Sequence, residues 1–379
     1  MTVHFSPEGH VRWLDSDEFS SEFLKLLAAA QEGGAMVSEC FLVASRIDPH
    51  DRADSWHREW LRIADRNAER ASAALERGHR LTARSNWLRA INYYQASTFV
   101  LDSADARQQE AIEAMRSCAR RFIEHSTPAG EVVEIPWLQD HSLEGYFLPA
   151  STASGRTPVV VCMGDPGHRK EEYLFKMSRY ARERGMALLA VDLLGSRADA
   201  EFDQIAGRRD LESSVSHVMD YLTTRGDVDA GRIALVGDGA GSSFVARGVA
   251  FDNRFAAVAC DGGLWDMHEQ AFLMNRLSQD GATIRGTAGD WIAGNSMEGG
   301  GPGLTFHCPV LVTVGGQGWL KGDVVTDLFE RLRGRHRDIS LKIFESPETA
   351  AAQGHHDNPT LANEFIFDWI ADRLDPVPA

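Results

Sequence analysis

A short stretch near the middle of the chain, residues 232–243 (RIALVGDGAGSS), constrains the fold more than any other. An apolar run rich in β-branched residues is followed by Gly237, Gly239 and Gly241, and then by the helix-like continuation FVARGVAF. This order predicts a β-strand, a tight turn and an α-helix. Because α/β proteins build their functional sites at such turns, we place the candidate site here.

Similar strand–turn–helix units recur on both sides of this stretch and predict the fold class. The predicted strands span residues 131–136, 143–148, 158–163, 186–191, 233–236, 256–260, 310–314 and 340–344. The first two are short and close together in the sequence, and they predict an antiparallel hairpin. Continuous apolar strands alternating with helices indicate an α/β fold with a mostly parallel, doubly wound sheet, whose ligands bind at the carboxyl ends of the strands.

The chain from residue 17 to about residue 126 has a helical pattern throughout. Apolar and aromatic residues recur at helical spacing in residues 22–31, 54–78, 81–100 and 105–125, and Gly78 is a typical helix stop. We therefore divide the chain into an N-terminal helical cap, residues 1–128, and an α/β core, residues 129–379. The aromatic residues of the cap are expected to form its core, or otherwise the roof of a substrate pocket.

The composition bears on partners and compartment. A net charge of -16 over 379 residues argues against nucleic acid, because a phosphate-binding surface needs clustered Lys and Arg. No apolar run approaches the roughly 18 residues of a membrane span and no signal peptide is recognisable, so we expect a cytoplasmic protein without a membrane partner. The five scattered cysteines are interpreted as reduced, packed thiols. We predict no cofactor and no metal, since only His355, His356 and Asp357 form a compact potential ligand set.

The glycine turn has two interpretations. It resembles a dinucleotide fingerprint, G-x-G-x-x-G/A, with Asp261 about 20 residues later as the acidic partner. Its position disfavours this, because the fingerprint normally follows the first strand of its unit and here a hairpin and two units precede it. Alternatively, the turn is a nucleophile elbow, G-x-S-x-G, which exposes a serine on a strained corner. Gly239 then occupies the position of the nucleophile.

Four motifs in order support the second interpretation. They are WLRAINYY at 87–94, GDPGHRKEE at 164–172, the elbow segment, and DNPTLANEFIFDWIADRL at 357–374. Together they resemble the helical-capped α/β-hydrolases related to the FrsA-type esterases and to 2,6-dihydroxypseudooxynicotine hydrolase, over roughly residues 50–375. The resemblance implies an α/β-hydrolase fold with a helical cap, an elbow serine, an acid after the strand that ends at Val314, and a histidine before the last helix.

Carried over position by position, the resemblance implies a degenerate catalytic triad. The nucleophile falls on Gly239, the acid on Trp319 (or Gly318 if the register slips by one), and the histidine on Gln353. Loss of one triad member typically lowers acyl-transfer rates by several orders of magnitude. A conventional serine hydrolase is therefore not expected.

Nearby residues offer replacements. The candidates are His355, His356 and His168 as acid or base, Asp238, Asp261 or Asp266 as the orienting acid, and Ser242 as a displaced nucleophile. The predicted oxyanion and substrate-binding positions are Gly239, Ala240, Gly164, Asp165, Gly167 and Asp261. The amides that follow the elbow, together with the helix dipole, are expected to stabilise an oxyanion or enolate.

Such a site suits reactions that need a base and an anion-binding site but no covalent intermediate, such as elimination of a carboxylate, dehydration or cyclisation. Related α/β-hydrolase-like proteins of natural-product pathways include some that eliminate acetate from an acetylated tetronate. The first hypothesis is therefore a small-molecule tailoring lyase or cyclase acting on an apolar, polyketide-like substrate. The alternatives are a catalytically silent ligand-binding protein and an ester or C–C bond hydrolase that uses Ser242. A homodimer is compatible with this architecture.

Overall fold

The structure is a computed structural model of the chain. It describes residues 16–139, 141–151, 155–164, 169–192, 212–239, 241–264, 305–318, 322–336 and 338–375. Within these ranges, a helical N-terminal region packs against one face of an eight-stranded sheet.

From residue 16 onward, where the structure describes the chain, the N-terminal region contains five helices around an aromatic core. They are α1 (Asp17–Ala28), α2 (Val37–Ala44), α3 (Arg52–Glu76), α4 (Arg80–Ser97) and α5 (Ala106–Glu124). Trp56, Trp60 and Trp87 are at most 1% exposed, and burying a large apolar side chain contributes about 1.5–3 kcal/mol. The predicted helical region is present, and these aromatic residues belong to its core. Helix α2 lies outside the four segments in which the sequence shows a helical period, because eight residues are too few to show one clearly.

Eight strands of the described residues form one mostly parallel sheet. They are β1 (Glu131–Leu138), β2 (His141–Leu148), β3 (Thr157–Met163), β4 (Ala187–Val191), β5 (Val228–Asp238), β6 (Ala257–Asp261), β7 (Val310–Gly315) and β8 (Ile339–Phe344). Their spatial order is β1-β2-β4-β3-β5-β6-β7-β8. Strand β2 is antiparallel to β1 and β4, and the remaining neighbours are parallel. The predicted hairpin and parallel sheet are both confirmed.

Helices cover both faces of this sheet. They are α6 (Tyr173–Lys176), α7 (Ser178–Glu183), α8 (Ser213–Thr224), α9 (Gly241–Phe251), α10 (Gly322–Arg333) and α11 (Pro359–Leu374). Successive residues of β3 enter different apolar clusters, as expected for alternating strand side chains. Val160 packs with the cap and α11, whereas Val161 packs with α8, α9 and α10. None of the helices in the described ranges is long and apolar enough to cross a membrane.

Polar contacts join the cap to the core on the side of the strand ends. The amide of Gln95, on α4, donates a 2.9 Å hydrogen bond to Glu172, which precedes α6. The buried carboxylate of Glu32, after α1, accepts hydrogen bonds from Tyr180 on α7 at 2.7 Å and from Thr360 on α11 at 2.5 Å. These contacts hold the cap over the segment that follows β3.

Candidate active site

The turn after β5 has the backbone of an elbow. Strand β5 ends at Asp238, Gly239 has a φ of 62°, and α9 begins at Gly241. A left-handed backbone at this corner favours glycine. The amide of Gly239 donates a 2.7 Å hydrogen bond to the carbonyl oxygen of Asp261, which fixes the corner against the end of β6. Ala240, predicted to supply an oxyanion amide, lies outside the described residues.

Ser242 lies in the first turn of α9 and points into the protein. Its side chain is fully buried, and its Oγ donates a 2.8 Å hydrogen bond to the carbonyl oxygen of Gly237. A nucleophile needs a hydroxyl that the substrate can reach and a base that takes its proton. The geometry therefore does not support the predicted role of Ser242 as a displaced nucleophile, because its hydroxyl is bound to the end of β5.

The structure brings together two of the predicted residues, His355 and Asp261. Asp261 ends β6, His355 lies in the loop after β8, and both are at most 4% exposed. His355 Nε2 is 2.8 Å from Asp261 Oδ1, which also accepts a 2.7 Å hydrogen bond from the hydroxyl of Thr313. An acid–histidine pair is thus present at the strand ends, with the acid after β6 and not after β7.

The second ring nitrogen of His355 is also engaged. Nδ1 is 2.6 Å from the carbonyl oxygen of Ala350, which can only accept, so Nδ1 carries a proton. Burial disfavours charge on His355, but the attraction and hydrogen bond of Asp261 outweigh it and raise the histidine's pKa. Burial likewise opposes ionisation of Asp261, yet His355 lowers the carboxyl's pKa. The pair is therefore a buried imidazolium–carboxylate ion pair, and it presents positive charge without a free lone pair on the ring.

The loop that carries His355 is strained. Thr349, Ala350 and His355 have φ values of 67°, 57° and 55°. Non-glycine residues in this region cost of order 1–3 kcal/mol each and persist where their surroundings fix them. The carboxylate of Asp357 accepts hydrogen bonds from two backbone amides of this loop, at 3.1 and 3.0 Å. Asp357 thus holds the loop, and within the described ranges no group of three His, Cys, Asp or Glu could hold a metal ion.

His356, the next residue, has a contrasting environment. It is half-buried, and a Cβ added to Gly354 would lie 2.8 Å from its Nε2, so the ring folds back over the loop. Burial and the positive charges of Lys25 and Lys176 lower its pKa well below the ordinary value. The ring is therefore neutral near pH 7 and keeps a lone pair on one nitrogen. Two adjacent histidines thus have pKa values shifted in opposite directions.

A second buried ion pair involves Asp238, which was predicted to orient a histidine. Its Oδ2 is 2.5 Å from Nζ of Lys176 on α6, and the side chains are 5% and 11% exposed. Burial disfavours the ammonium, but Asp238 outweighs this effect and the pKa of Lys176 is raised. No sequence pattern points to Lys176, because a lysine in a short helical segment is usually solvated.

The remaining predicted positions are distributed as follows. Gly164 is buried directly after β3, whereas Asp165, Gly167, His168, Asp266 and Trp319 lie outside the described residues. Gln353, on which the family histidine falls, packs against the turn after β7: its Oε1 lies 2.6 Å from where a Cβ on Gly318 would be. Among these loop residues, His355 is the one that pairs with the acid, two positions later than the alignment implies.

Family comparison agrees with this architecture. The model of the family described as "Esterase FrsA-like" matches residues 50–277, which is more than half of the chain. The chain belongs to the FrsA-like esterase family. Within this family, its elbow carries Gly239 where the resemblance implies a serine.

Relatives of this FrsA-like protein include fungal proteins with different reaction names. The chain is 30% identical over 288 residues to 20-hydroxy-prefusarin hydrolase FUS2 of Gibberella moniliformis, covering 73% of the chain and 67% of that protein. It is 28% identical over 299 residues to hydrolyase poxO of Penicillium oxalicum, covering 76% of the chain and 69% of that protein. It is also 30% identical over 262 residues to alpha/beta hydrolase xenA of Xenoacremonium sinensis, covering 66% of the chain and 61% of that protein.

Solved structures confirm the fold of this FrsA-like chain. The structure of 2,6-dihydroxy-pseudo-oxynicotine hydrolase matches with a TM-score of 0.73 at 20% identity, over 92% of this chain and 95% of that one. The structure of AbyA5 matches with a TM-score of 0.62 at 16% identity, over 94% of this chain and 99% of that one. The predicted α/β-hydrolase fold with an N-terminal helical region is confirmed. This is an enzyme fold, and the relatives are named as hydrolases and as a hydrolyase.

Proposed function

We propose that this protein is a small-molecule lyase that eliminates a carboxylate from a substrate with an acyloxy group β to a carbonyl. The observation that carries the proposal is the pairing of His355 with Asp261 beside an elbow centred on Gly239. The acid and histidine of a hydrolytic site are kept, while the elbow position has no hydroxyl to form an acyl-enzyme. Proton transfer and charge stabilisation without a covalent intermediate are what an elimination needs.

His356 is the proposed base. Its neutral ring removes a proton from the carbon between the carbonyl and the C–O bond, and the electron pair moves onto the carbonyl oxygen as an enolate. When the enolate collapses, a C=C bond forms, the C–O bond breaks and the carboxylate leaves with the bonding electrons. The proton remains on His356 until it exchanges with solvent, so atoms and charge balance.

His355 has a different proposed role, which is to supply fixed positive charge. Asp261 keeps it protonated, and the N-terminus of α9 adds partial positive charge at the same end of the sheet. Negative charge that develops on the enolate is therefore stabilised in a site with little water. Opposite pKa shifts in neighbouring groups are a common way for a site to separate its acid from its base.

Two alternatives stay open for this chain, because its relatives include both a hydrolyase and a hydrolase. In a hydrolase, His356 would activate water toward the acyl carbonyl of an ester. A silent binding protein would take up the ligand without turnover. In all three cases, we propose an apolar, polyketide-like small molecule as the ligand.

One experiment separates the three cases. Purified protein is incubated in ¹⁸O-water with a panel of β-acetoxy ketones of increasing apolar size, and the products are analysed by mass spectrometry. Elimination releases acetate without ¹⁸O together with the unsaturated ketone. Ester hydrolysis places one ¹⁸O in the acetate and leaves a hydroxy ketone. Ligand binding without either product identifies the silent protein and overturns the proposal.

Variants then test the assigned groups. His356→Gln and His355→Gln are both expected to abolish alkene formation, whereas His79→Gln, at an exposed position before α4, leaves it unchanged. His168→Ala is included because the sequence predicts it as a second acid or base. If the variants of His355, His356 and His168 all keep wild-type turnover, the lyase proposal fails.

A further inference from the structure

Lys176 has donor capacity that its contacts with the described residues leave unused. An ammonium has three N–H donors, and in the described part of the chain Asp238 is the one acceptor that hydrogen-bonds to Nζ. The lysine side chain is 11% exposed and the aspartate side chain 5%, so water has little access to the remaining donors. A buried donor without an acceptor is unfavourable, and an incoming ligand oxygen would relieve this.

The position of Lys176 links this capacity to the candidate site. Asp238 directly precedes the elbow residue Gly239 and is the register partner of Asp261 on the neighbouring strand. The positive charge of Lys176 acts to lower the pKa of Asp261 and of His356, and it opposes part of the larger rise that Asp261 causes in the pKa of His355. Lys176 is therefore within electrostatic range of all three groups. Lys176 thus lies at the strand ends together with the proposed base and the imidazolium.

We propose that Lys176 is a catalytic residue that binds the carbonyl oxygen of the substrate and stabilises it as an enolate. This inference rests on the proposed elimination and assigns the substrate's carbonyl to a defined group of the protein. In the proton-transfer step, the C–H bond breaks, the proton goes to His356, and the electron pair ends on the oxygen that two N–H groups of Lys176 contact. The C–O bond of the leaving carboxylate then breaks as the C=C bond forms.

The charge balance of the pair indicates which ligand oxygen fits. Lys176 and Asp238 together are neutral, so the nearby carboxylate of Asp238 disfavours a ligand that arrives with a full, localised charge. A neutral carbonyl accepts the two hydrogen bonds at once, and the interaction strengthens as negative charge develops on its oxygen. Interactions that strengthen toward the transition state increase the rate, whereas uniform binding does not. The substrate class is therefore a ketone or conjugated carbonyl compound with an acidic α-hydrogen.

The binding test uses cyclohexane-1,3-dione, which is an enolate at neutral pH, and its O-methyl enol ether, which cannot ionise. Affinities are measured by isothermal titration calorimetry with the full chain. Wild type is expected to bind the enolate more tightly than the ether, and Lys176→Met is expected to remove this preference. Asp238→Asn leaves the ammonium without its carboxylate and is expected to strengthen enolate binding. A merely structural pair would instead weaken binding in both variants.

Kinetic measurements complete the test. Lys176→Met is expected to lower kcat by about 10²–10³, as for loss of one preorganised oxyanion donor, with a smaller change in KM. Lys342→Met removes a half-buried lysine that is paired with Glu348 and is the matched control. The double variant Lys176→Met/Asp238→Asn removes both charges. It therefore shows the fall in kcat that follows from losing the lysine, without leaving an unpaired buried aspartate. Elimination that persists in this variant overturns the role of Lys176 but not the lyase. Lysine-dependent enolate binding without alkene formation overturns the lyase but not the binding site.

Discussion

Asp238 and Asp261 are register partners on the adjacent parallel strands β5 and β6, and each carboxylate contacts a different cation. Lys176 reaches Asp238 from α6, and His355 reaches Asp261 from the loop after β8. Neighbouring buried carboxylates disfavour each other's ionisation unless each is paired with an opposite charge. Neutralising any one of these four groups therefore leaves a net charge in a region of low dielectric constant.

Asp261→Asn is expected to destabilise the fold by about 3–5 kcal/mol, because it leaves a buried histidine that loses either its proton or its counter-ion. The measurement is the free energy of unfolding in urea near neutral pH, followed by circular dichroism. Asp372→Asn changes an exposed aspartate of α11 and serves as the control, with an expected change within about 0.5 kcal/mol. A loss of less than about 1 kcal/mol for Asp261→Asn, as for an exposed pair, would contradict the assignment.

The same pair predicts how stability depends on pH. The raised pKa of His355 contributes stability below about pH 6.5, and this is lost as the pH rises through the folded pKa. The lowered pKa of Asp261 contributes stability above about pH 3.9, and this stability is lost as the pH falls through the pKa of the folded state. The difference in unfolding free energy between wild type and the double variant His355→Gln/Asp261→Asn should therefore be larger at about pH 5.5 than at about pH 8.5. A difference that grows with pH would exclude an imidazolium at His355.

The proposed reaction should have a pH profile set by the two histidines. Because the pKa of His356 is lowered, it stays unprotonated at neutral pH, and kcat/KM should fall only well below pH 6.5, about the ordinary histidine value. Deprotonation of His355, whose pKa is raised, should produce a separate decline on the alkaline side. The measurement is kcat/KM for alkene formation across the range in which the fold is stable. An acid limb centred at the ordinary histidine pKa would show that His356 is not the base.

The sequence was sufficient to predict those parts of the fold that a local pattern of residues determines. Apolar runs followed by glycine turns predicted the parallel sheet, and the glycines at 237, 239 and 241 predicted the elbow. His355 and Asp261 were both candidates because each follows a strand at the carboxyl edge. Their pairing was not predictable, because it depends on a strained loop in which His355 itself has a φ of 55°.

The sequence was insufficient to predict the role of a residue whose surroundings depend on tertiary packing. Ser242 and Lys176 both lie in short helices of the α/β core, and their residue types alone favour Ser242 as the reactive one. The helix rotation turns Ser242 toward the backbone of β5, whereas α6 directs Lys176 to Asp238. Such rotations depend on how each helix packs on the sheet, which local pattern does not specify.

Ser242→Ala tests whether this hydroxyl is structural. Its loss removes a buried hydrogen bond to Gly237 and should lower the free energy of unfolding by about 1–2 kcal/mol. Turnover in the proposed reaction should match wild type under conditions where both proteins are folded. Ser243→Ala, at the neighbouring buried serine, is the comparison variant. Complete loss of turnover with unchanged stability would restore Ser242 as a candidate nucleophile.

Gly239→Ser places a hydroxyl at the elbow and is expected not to create a serine hydrolase. A serine of a catalytic triad is activated by a histidine that an acid orients, but the acid-paired His355 directs Nε2 to Asp261 and Nδ1 to Ala350 and so has no free lone pair. The readouts are fluorophosphonate labelling, detected as an adduct in intact-mass spectrometry, and hydrolysis of p-nitrophenyl acetate. Gly239→Ala controls for the strain that any side chain meets at a φ of 62°. Stoichiometric labelling of the serine variant alone would show that a histidine of this site can activate a hydroxyl, and that the residue at position 239 alone separates this protein from a hydrolase.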